Sequence, residues 1–425
     1  MKKTFETLVT LSLVLSLAAC SSPAAAEVIQ SSKPRITSPA VPSTDKAALA
    51  IGNQAFAFDL YQALRQNAGN IFYSPHSISE ALAMTYAGAK GDTAQQIGST
   101  LNFTLPQDRL HPAFNSMESD LNSRGKDTQG KNGSGFTLNV VNAIWGQKNY
   151  TFLSPFLDVL AQNYGAGIRI LDFITQAENS RITINNWVSN ETAGRIQNLV
   201  PQGAIDAQTR MVLTNAIYFK AAWLHQFNKA STADGQFTPL SGSPVTASMM
   251  HLSESFNYAK GDGYQALELP YDGNQISMVV LLPDSGNFQP FEQGLNSQQV
   301  NSIISTFQNN RVSLTMPRFT FSSDFGLKGT LSAMGMPVAF SNNADFSGMT
   351  GSRDLQLTDV LHKAFVAVDE TGTEAAAATA VIVGVTSAPV QPPVDFNINR
   401  PFIFFIRDIP TGEILFVGRI LNPAA

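Results

Sequence analysis

Asp369-Glu370-Thr371-Gly372-Thr373-Glu374-Ala375-Ala376-Ala377-Ala378-Thr379-Ala380-Val381-Ile382-Val383 is the stretch that governs how this chain is understood. Between Glu374 and Arg400 the sole charged residue is Asp395, in a chain that is 14% charged overall. Taken as an extended strand, Thr373, Ala375, Ala377, Thr379, Val381 and Val383 share one face, and each is small or β-branched enough to be buried. The acidic turn at 369–372 on one side, and Pro389, Pro392 and Pro393 on the other, are the punctuation of a loop. A segment composed like a buried strand but bounded like an exposed loop is an aggregation hazard. It has the composition of a strand held in reserve. The same residues also suit a short helix, because Ala is the best helix former and Glu370 or Glu374 fits a first turn. They suit an ordinary linker equally.

Outside that stretch, composition narrows the choices. The 425 residues are 44% hydrophobic, enough for a large core. The net charge of −5 carries no basic footprint, which argues against nucleic acid as a partner. Lys2 and Lys3 precede an apolar run over 8–19 that is too short to span a bilayer comfortably. The run ends in Leu17-Ala18-Ala19-Cys20, which resembles the lipobox of bacterial lipoproteins. The expectation is a signal peptide over 1–19, lipidation at Cys20 and a Ser/Pro/Ala-rich tether over 20–44. A plain secretory signal cut near an alanine is the competing reading. The chain is thus expected to be exported, and either held on the bacterial cell envelope through Cys20 or secreted. Cys20 is the sole cysteine, so no disulfide framework is available. Past residue 44 there is no second low-complexity stretch, internal repeat or long apolar run, and one domain over 45–425 is expected.

Periodicity then gives the elements. Ala48, Ile51, Phe56, Leu60 and Leu64 recur on one face of a helix over 45–67. Helices are also predicted after the Ser/Pro turn at 74–79, over 153–164 and over 178–191. The run 211–220 is too continuously apolar for an edge and is expected to be a central strand buried on both faces. Further strands are predicted at 137–147, 264–271, 276–282, 312–319, 363–369, 402–407 and 413–420. Helices dominate the first half and strands the second, so the class is α+β.

Several short motifs, in order, resemble the serpin family over essentially all of residues 46–425. They are Asn70-Ile71-Phe72-Tyr73-Ser74-Pro75-His76-Ser77-Ile78-Ser79, Gly88-Ala89-Lys90-Gly91-Asp92-Thr93, Ile184-Asn185-Asn186-Trp187-Val188, and Asn215-Ala216-Ile217-Tyr218-Phe219-Lys220 with Trp223. Leu269-Pro270-Tyr271, Met316-Pro317-Arg318-Phe319, His362-Lys363-Ala364 and Arg400-Pro401-Phe402 follow. Each is weak alone; their shared order and spacing make them specific. The resemblance implies about nine helices, three β-sheets and an exposed reactive-centre loop over about 370–394. It also implies suicide inhibition of a serine protease, sometimes a cysteine protease. The cut loop enters the main sheet as a new strand and drags the covalently attached protease with it.

Carried over residue by residue, the resemblance makes Glu370, Gly372, Thr373, Glu374, Ala375, Ala376, Ala377, Ala378 and Thr379 the hinge of that loop. Ser74, Ser77, Asn215 and His362 become a hydrogen-bonded shutter beneath the opening sheet, and Trp223 marks the breach where insertion begins. Counting along the family's loop from Glu370 gives Thr386-Ser387 as the reactive bond, with Val385-Thr386 as the alternative. Counting back from Arg400 lands near Val390-Gln391, so the far side of the loop is longer than usual.

No Lys or Arg lies between Glu374 and Arg400, and no aromatic precedes Phe396. That composition favours a small-pocket protease of elastase or subtilisin type. The remaining residues offer no other chemistry. His76, His111, His225, His251 and His362 are scattered without an HExxH pair, and there is no GxSxG elbow, phosphate loop or dinucleotide fingerprint. No catalytic residue, metal or cofactor is expected, and the chain is expected to be a monomer. A non-inhibitory serpin acting as a carrier or chaperone is the alternative function. The small residues at 375–378 weigh against it, because non-inhibitory relatives usually carry bulky or charged residues there.

Overall fold

Local composition fixes where the chain goes extended and where it coils. In the computed structural model, residues 26–124, 136–373 and 392–424 are described. The strands are β1 (Glu27–Ile29), β2 (Ile71–Tyr73), β3 (Thr137–Gln147), β4 (Ile168–Leu171), β5 (Met211–Ala222), β6 (Ala233–Phe237), β7 (Val245–Gly261) and β8 (Tyr264–Pro270). They continue with β9 (Ile276–Pro283), β10 (Gln308–Pro317), β11 (Phe319–Gly326), β12 (Leu357–Val368), β13 (Gly372–Thr373), β14 (Val394–Asn397), β15 (Phe402–Asp408) and β16 (Ile414–Ile420). The helices are α1 (Ser43–Leu64), α2 (Pro75–Tyr86), α3 (Gly91–Thr100), α4 (Gln107–Ser123), α5 (Ser154–Tyr164), α6 (Phe173–Glu191), α7 (Phe288–Gly294), α8 (Ser297–Ser305), α9 (Lys328–Met334) and α10 (Ser347–Thr350). That makes ten α-helices among the described residues, where about nine were expected.

The main sheet has the order β1-β4-β3-β5-β13-β12-β11. Its centre is β5, in which only Tyr218 and Lys220 are other than buried, as its unbroken apolar run required. β12 runs parallel to β5 from Leu357 beside Met211 to Ala364 beside Ile217. Beyond that point the two part, and β13 lies between them, antiparallel to both.

The second sheet runs β14-β10-β7-β8-β9-β15-β16-β2, with β6 on the side of β7. Three separate sheets were expected. The second and third are joined here because β7 is 17 residues long and belongs to both. Its first part pairs with β6 and β10, and its last residues pair with β8.

Between the sheets lies a dense aromatic core, in which Phe72 stacks on Phe416 at 5.0 Å and on Phe404 at 5.9 Å. α2 lies beneath the main sheet and is buried on every side except at Tyr86, which requires the small residues Ser77, Ser79, Ala81 and Ala83. On the outer face Phe173, Ile184 and Val188 of α6, with Ile196, Leu199 and Val200 of the segment after it, form one cluster with residues of β3, β5 and β12.

The expected tether ends differently from its composition. From Glu27 onward it is held on the body: β1 pairs with β4, Lys33 bridges Asp158 at 2.7 Å and Arg35 reaches Asn115 and Glu118. The strand covers the outer edge of the main sheet, which would otherwise be open to pairing. Cys20 and the signal segment lie outside the described residues. Among those described, no helix is long and apolar enough to cross a membrane.

Candidate functional site

The site is the seam between β5 and β12, closed along its lower part and occupied at its top by the first residues of the hinge. Thr373 lies opposite Ala221 on one side and Val368 on the other. It is buried, and its hydroxyl shares a 2.7 Å hydrogen bond with the Tyr271 hydroxyl. Gly372 fits only as glycine, because a Cβ there would stand 2.1 Å from the Ala221 carbonyl oxygen.

The acidic turn before it is buried, against the expectation of an exposed loop end. The Asp369 carboxylate accepts from the backbone N–H and hydroxyl of Thr371, folding the turn on itself. Glu370 accepts from Thr232 Oγ1 at 2.7 Å, and the Arg318 guanidinium stands 3.6 Å from its other oxygen. The backbone N–H groups of Trp223 and Phe227 donate to the carbonyls of Thr371 and Glu370, each at 2.9 Å. The Trp223 indole N–H donates to the Asp369 carbonyl at 3.0 Å, and its ring stacks on Tyr271 with centroids 4.5 Å apart. Trp223, expected at the breach, lies against the 369–371 turn and Tyr271.

Midway down the seam the four shutter residues meet. Asn142, Asn215 and His362 stand in register across β3, β5 and β12. His362 Nε2 accepts from the Ser74 backbone N–H at 3.2 Å, so its proton is on Nδ1 and is donated to Asn215 Oδ1. The Asn215 amide then donates to Ser77 Oγ and to Asn142 Oδ1. Asn142 in turn donates to the Glu80 carboxylate at 2.8 Å. Every bond of this row crosses between β5, β12, β3 and α2. When two strands part, such groups can exchange partners, whereas an apolar contact can only be lost. Asn142 and Glu80 were not anticipated.

The row's two titratable members respond to pH in opposite ways. Burial pushes the His362 imidazole down to about 3. In the unfolded chain it titrates near its usual 6.5, so the unfolded state holds the extra proton between those values. Stability from His362 is thus complete above about 6.5 and is lost as pH falls toward about 3. The Glu80 carboxyl is pushed up to about 7, first by burial and then by the neighbouring Glu118. Here the native state holds the extra proton between about 4.5 and 7, and the native state is penalised as pH rises through that window. Glu80→Gln keeps an acceptor for Asn142 and removes the titration. Its stability advantage over wild type is expected to grow by about 2 kcal/mol between pH 4.5 and pH 7 in urea unfolding. An advantage independent of pH would show that Glu80 stays ionised in the native protein.

Of the proposed hinge, Glu370, Gly372 and Thr373 are in place at the seam. Glu374, Ala375–Ala378 and Thr379, like the bonds Thr386-Ser387 and Val385-Thr386, lie outside the described residues. No group of three metal-ligating side chains occurs among the described residues.

Comparison with known proteins gives one consistent answer. The family model described as serpin (serine protease inhibitor) matches residues 51–423. Human Serpin B3 is 41% identical over 88% of this chain and 99% of its own. Human leukocyte elastase inhibitor is 38% identical with the same coverage, and a serpin-like protein of the archaeon Thermococcus kodakarensis is 38% identical over 87% of this chain and 84% of its own. Among solved structures, the thermophilic serpin tengpin in its native state superposes with a TM-score of 0.81 at 27% identity, over 94% of this chain and all of that one. Uncleaved ovalbumin does so at 0.80 and 28%, over 88% of this chain. These relatives support the body and say nothing for a lipoprotein-type N-terminus.

Proposed function

The chain belongs to the serpin family, and we propose that it inhibits a serine protease by offering its loop as substrate and trapping the acyl-enzyme. The protease serine Oγ attacks the Thr386 carbonyl carbon and an ester forms. The bond to Ser387 breaks, and the Ser387 amine leaves with a proton. Ahead of the cut, the freed strand enters between β5 and β12 before water can release the ester. Strand addition of this kind is how serpin loops are known to work.

The single observation that carries this is the position of Thr373, already paired on both edges at the top of the seam. Continuing that register in the cut form would set Ala375 opposite Phe219 and Val366, and Ala377 opposite Ile217 and Ala364. Thr379 would come between Asn215 and His362, where its hydroxyl could take up bonds the shutter gives up. Glu374 would face the other side, toward solvent. Val383 would reach Met211, the first residue of β5, so a cut at Thr386-Ser387 leaves a strand that fills the seam. Each added backbone hydrogen bond contributes about 1 kcal/mol net against an ordering cost of roughly 1–2 kcal/mol per residue. The balance is favourable only for a strand free of buried charge.

Target choice rests on the uncharged, non-aromatic run before Phe396. It suits an elastase- or subtilisin-type pocket, with cysteine proteases as a secondary class. Lys2, Lys3, the apolar run over 8–19 and Leu17-Ala18-Ala19-Cys20 support export and lipid anchoring at Cys20, with the body acting as a monomer on the cell envelope. Incubation with an elastase, a subtilisin and a trypsin, followed by SDS gels and mass measurement of the released C-terminal fragment, tests inhibition and the cut bond together. Expected are a covalent band with the first two and a fragment beginning at Ser387. Cleavage without any covalent band would overturn the mechanism.

A further inference from the structure

α6 spans the seam that must open. Its apolar side and the segment that follows it, with Ile196, Leu199 and Val200, form one buried cluster with Val141, Ala143 and Trp145 of β3, Val212 and Ala216 of β5 and Leu361 of β12. Lys363 of β12 also donates to the Gln197 carbonyl at 3.1 Å. Inserting a strand moves β12 away from β5 by about 4.8 Å, one strand spacing. α6 and the segment after it cannot together keep both halves of that footing.

Arg169 of β4 lies directly beside Trp145 in the neighbouring strand. Its guanidinium carbon stands 5.6 Å from the Trp145 ring centroid and 4.3 Å from that of Trp187 on α6. The two indoles meet edge to face at 5.3 Å, and the Trp145 N–H is fixed by Thr214 Oγ1 at 2.8 Å. The Glu191 carboxylate at the end of α6 acts on Arg169 through its charge, and the two indole rings make the direct contacts. A cation between two indoles, partly withdrawn from water, is held more firmly than an exposed one.

We infer that Arg169 is a positioning residue for strand insertion: it pins α6 through Trp187 to the β3–β4 side and so sets how fast the seam admits a strand. The inference rests on the insertion mechanism proposed above. With the pin in place, the cluster must part at Leu361 while α6 stays on Trp145, and loosening the pin lets α6 and the segment after it give way sooner.

The test uses a synthetic peptide with the sequence of residues 373–386, added to the intact full-length protein, and its rate of incorporation. Arg169→Met keeps the length and apolar stem and removes the charge; Arg169→Lys restores the charge alone. The Met variant is expected to take up peptide roughly threefold to tenfold faster, with the Lys variant near wild type. Trp187→Phe should add little on top of Arg169→Met, because both remove one contact. A merely structural residue would lower the melting temperature of the Met variant and leave uptake unchanged, and that result would overturn the inference. So would equal acceleration in the Lys and Met variants. Since peptide uptake needs no protease, absence of a covalent protease complex would count against the inhibitory mechanism alone.

Discussion

Thr373→Arg is expected to abolish the SDS-stable protease complex and leave a protein that is cut and released as a substrate. Thr373 is 1% exposed, with strands on both edges and Tyr271 beneath. An arginine there would be buried against Tyr271 and could reach water only by leaving the seam. Burying an unpaired charge costs several kcal/mol. Insertion competes with hydrolysis of the acyl-enzyme, and each 1.4 kcal/mol on the insertion barrier changes that competition about tenfold. A penalty of this size moves the outcome by about a hundredfold or more toward release. The measurement is moles of inhibitor consumed per mole of protease inactivated. Thr373→Val, which loses the Tyr271 hydrogen bond but keeps the shape, should still form complex. A normal stoichiometry in the arginine variant would mean that insertion does not begin at this residue.

Asn215→Ala is expected to produce the largest loss of stability of any single substitution at the seam. One side chain serves three partners: it accepts from His362 and donates to Ser77 and Asn142, all in a setting closed to water. Removing it leaves three buried polar groups wanting, at about 1–3 kcal/mol each, for a total of about 3–9 kcal/mol. The first thermal transition should fall by on the order of 10 °C. Asn215→Asp tests the donor side separately, since a carboxylate accepts from His362 but donates to neither Ser77 nor Asn142. If the alanine variant melted within a degree or two of wild type, the row of bonds would be incidental to holding the seam shut.

What could be read in the chain beforehand follows from how local each signal is. β5 was legible because its burial is written in consecutive apolar residues. β3 was found with its bounds intact from Leu138, Val140, Ala143 and Trp145. The hinge, and Ser74, Ser77, Asn215 and His362, were named through short motifs whose order matched a family. Asn142 was hidden because one polar residue in an alternating strand looks solvent-facing. Glu80 gave a fainter sign, a lone acid in the apolar run after Ser79 with no lysine or arginine three or four positions away. Burial of the 369–371 turn could not be foreseen, since Glu370 is satisfied by Thr232, 138 residues earlier. β1 escaped notice because three residues inside a Ser/Pro/Ala stretch carry no periodicity, and their order comes entirely from the edge they cover. β7 was missed for the opposite reason: partly exposed along most of its length, it has neither a continuous apolar run nor internal turn residues. Pro112 within α4 obscured that helix similarly.

The direction in which β12 runs beside β5 has an outcome of its own. Side-by-side strands pointing the same way hold each other through slanted bonds, slightly weaker per residue than those of opposed strands. A newcomer from the top of the seam travels against both neighbours. One slanted contact is thereby traded for two squarely aligned ones, and the finished sheet is better matched than the one that was folded first. On the proposed mechanism, the protein would leave the ribosome in a second-best arrangement, and the enzyme that attacks it would supply the cut that lets it reach the better one.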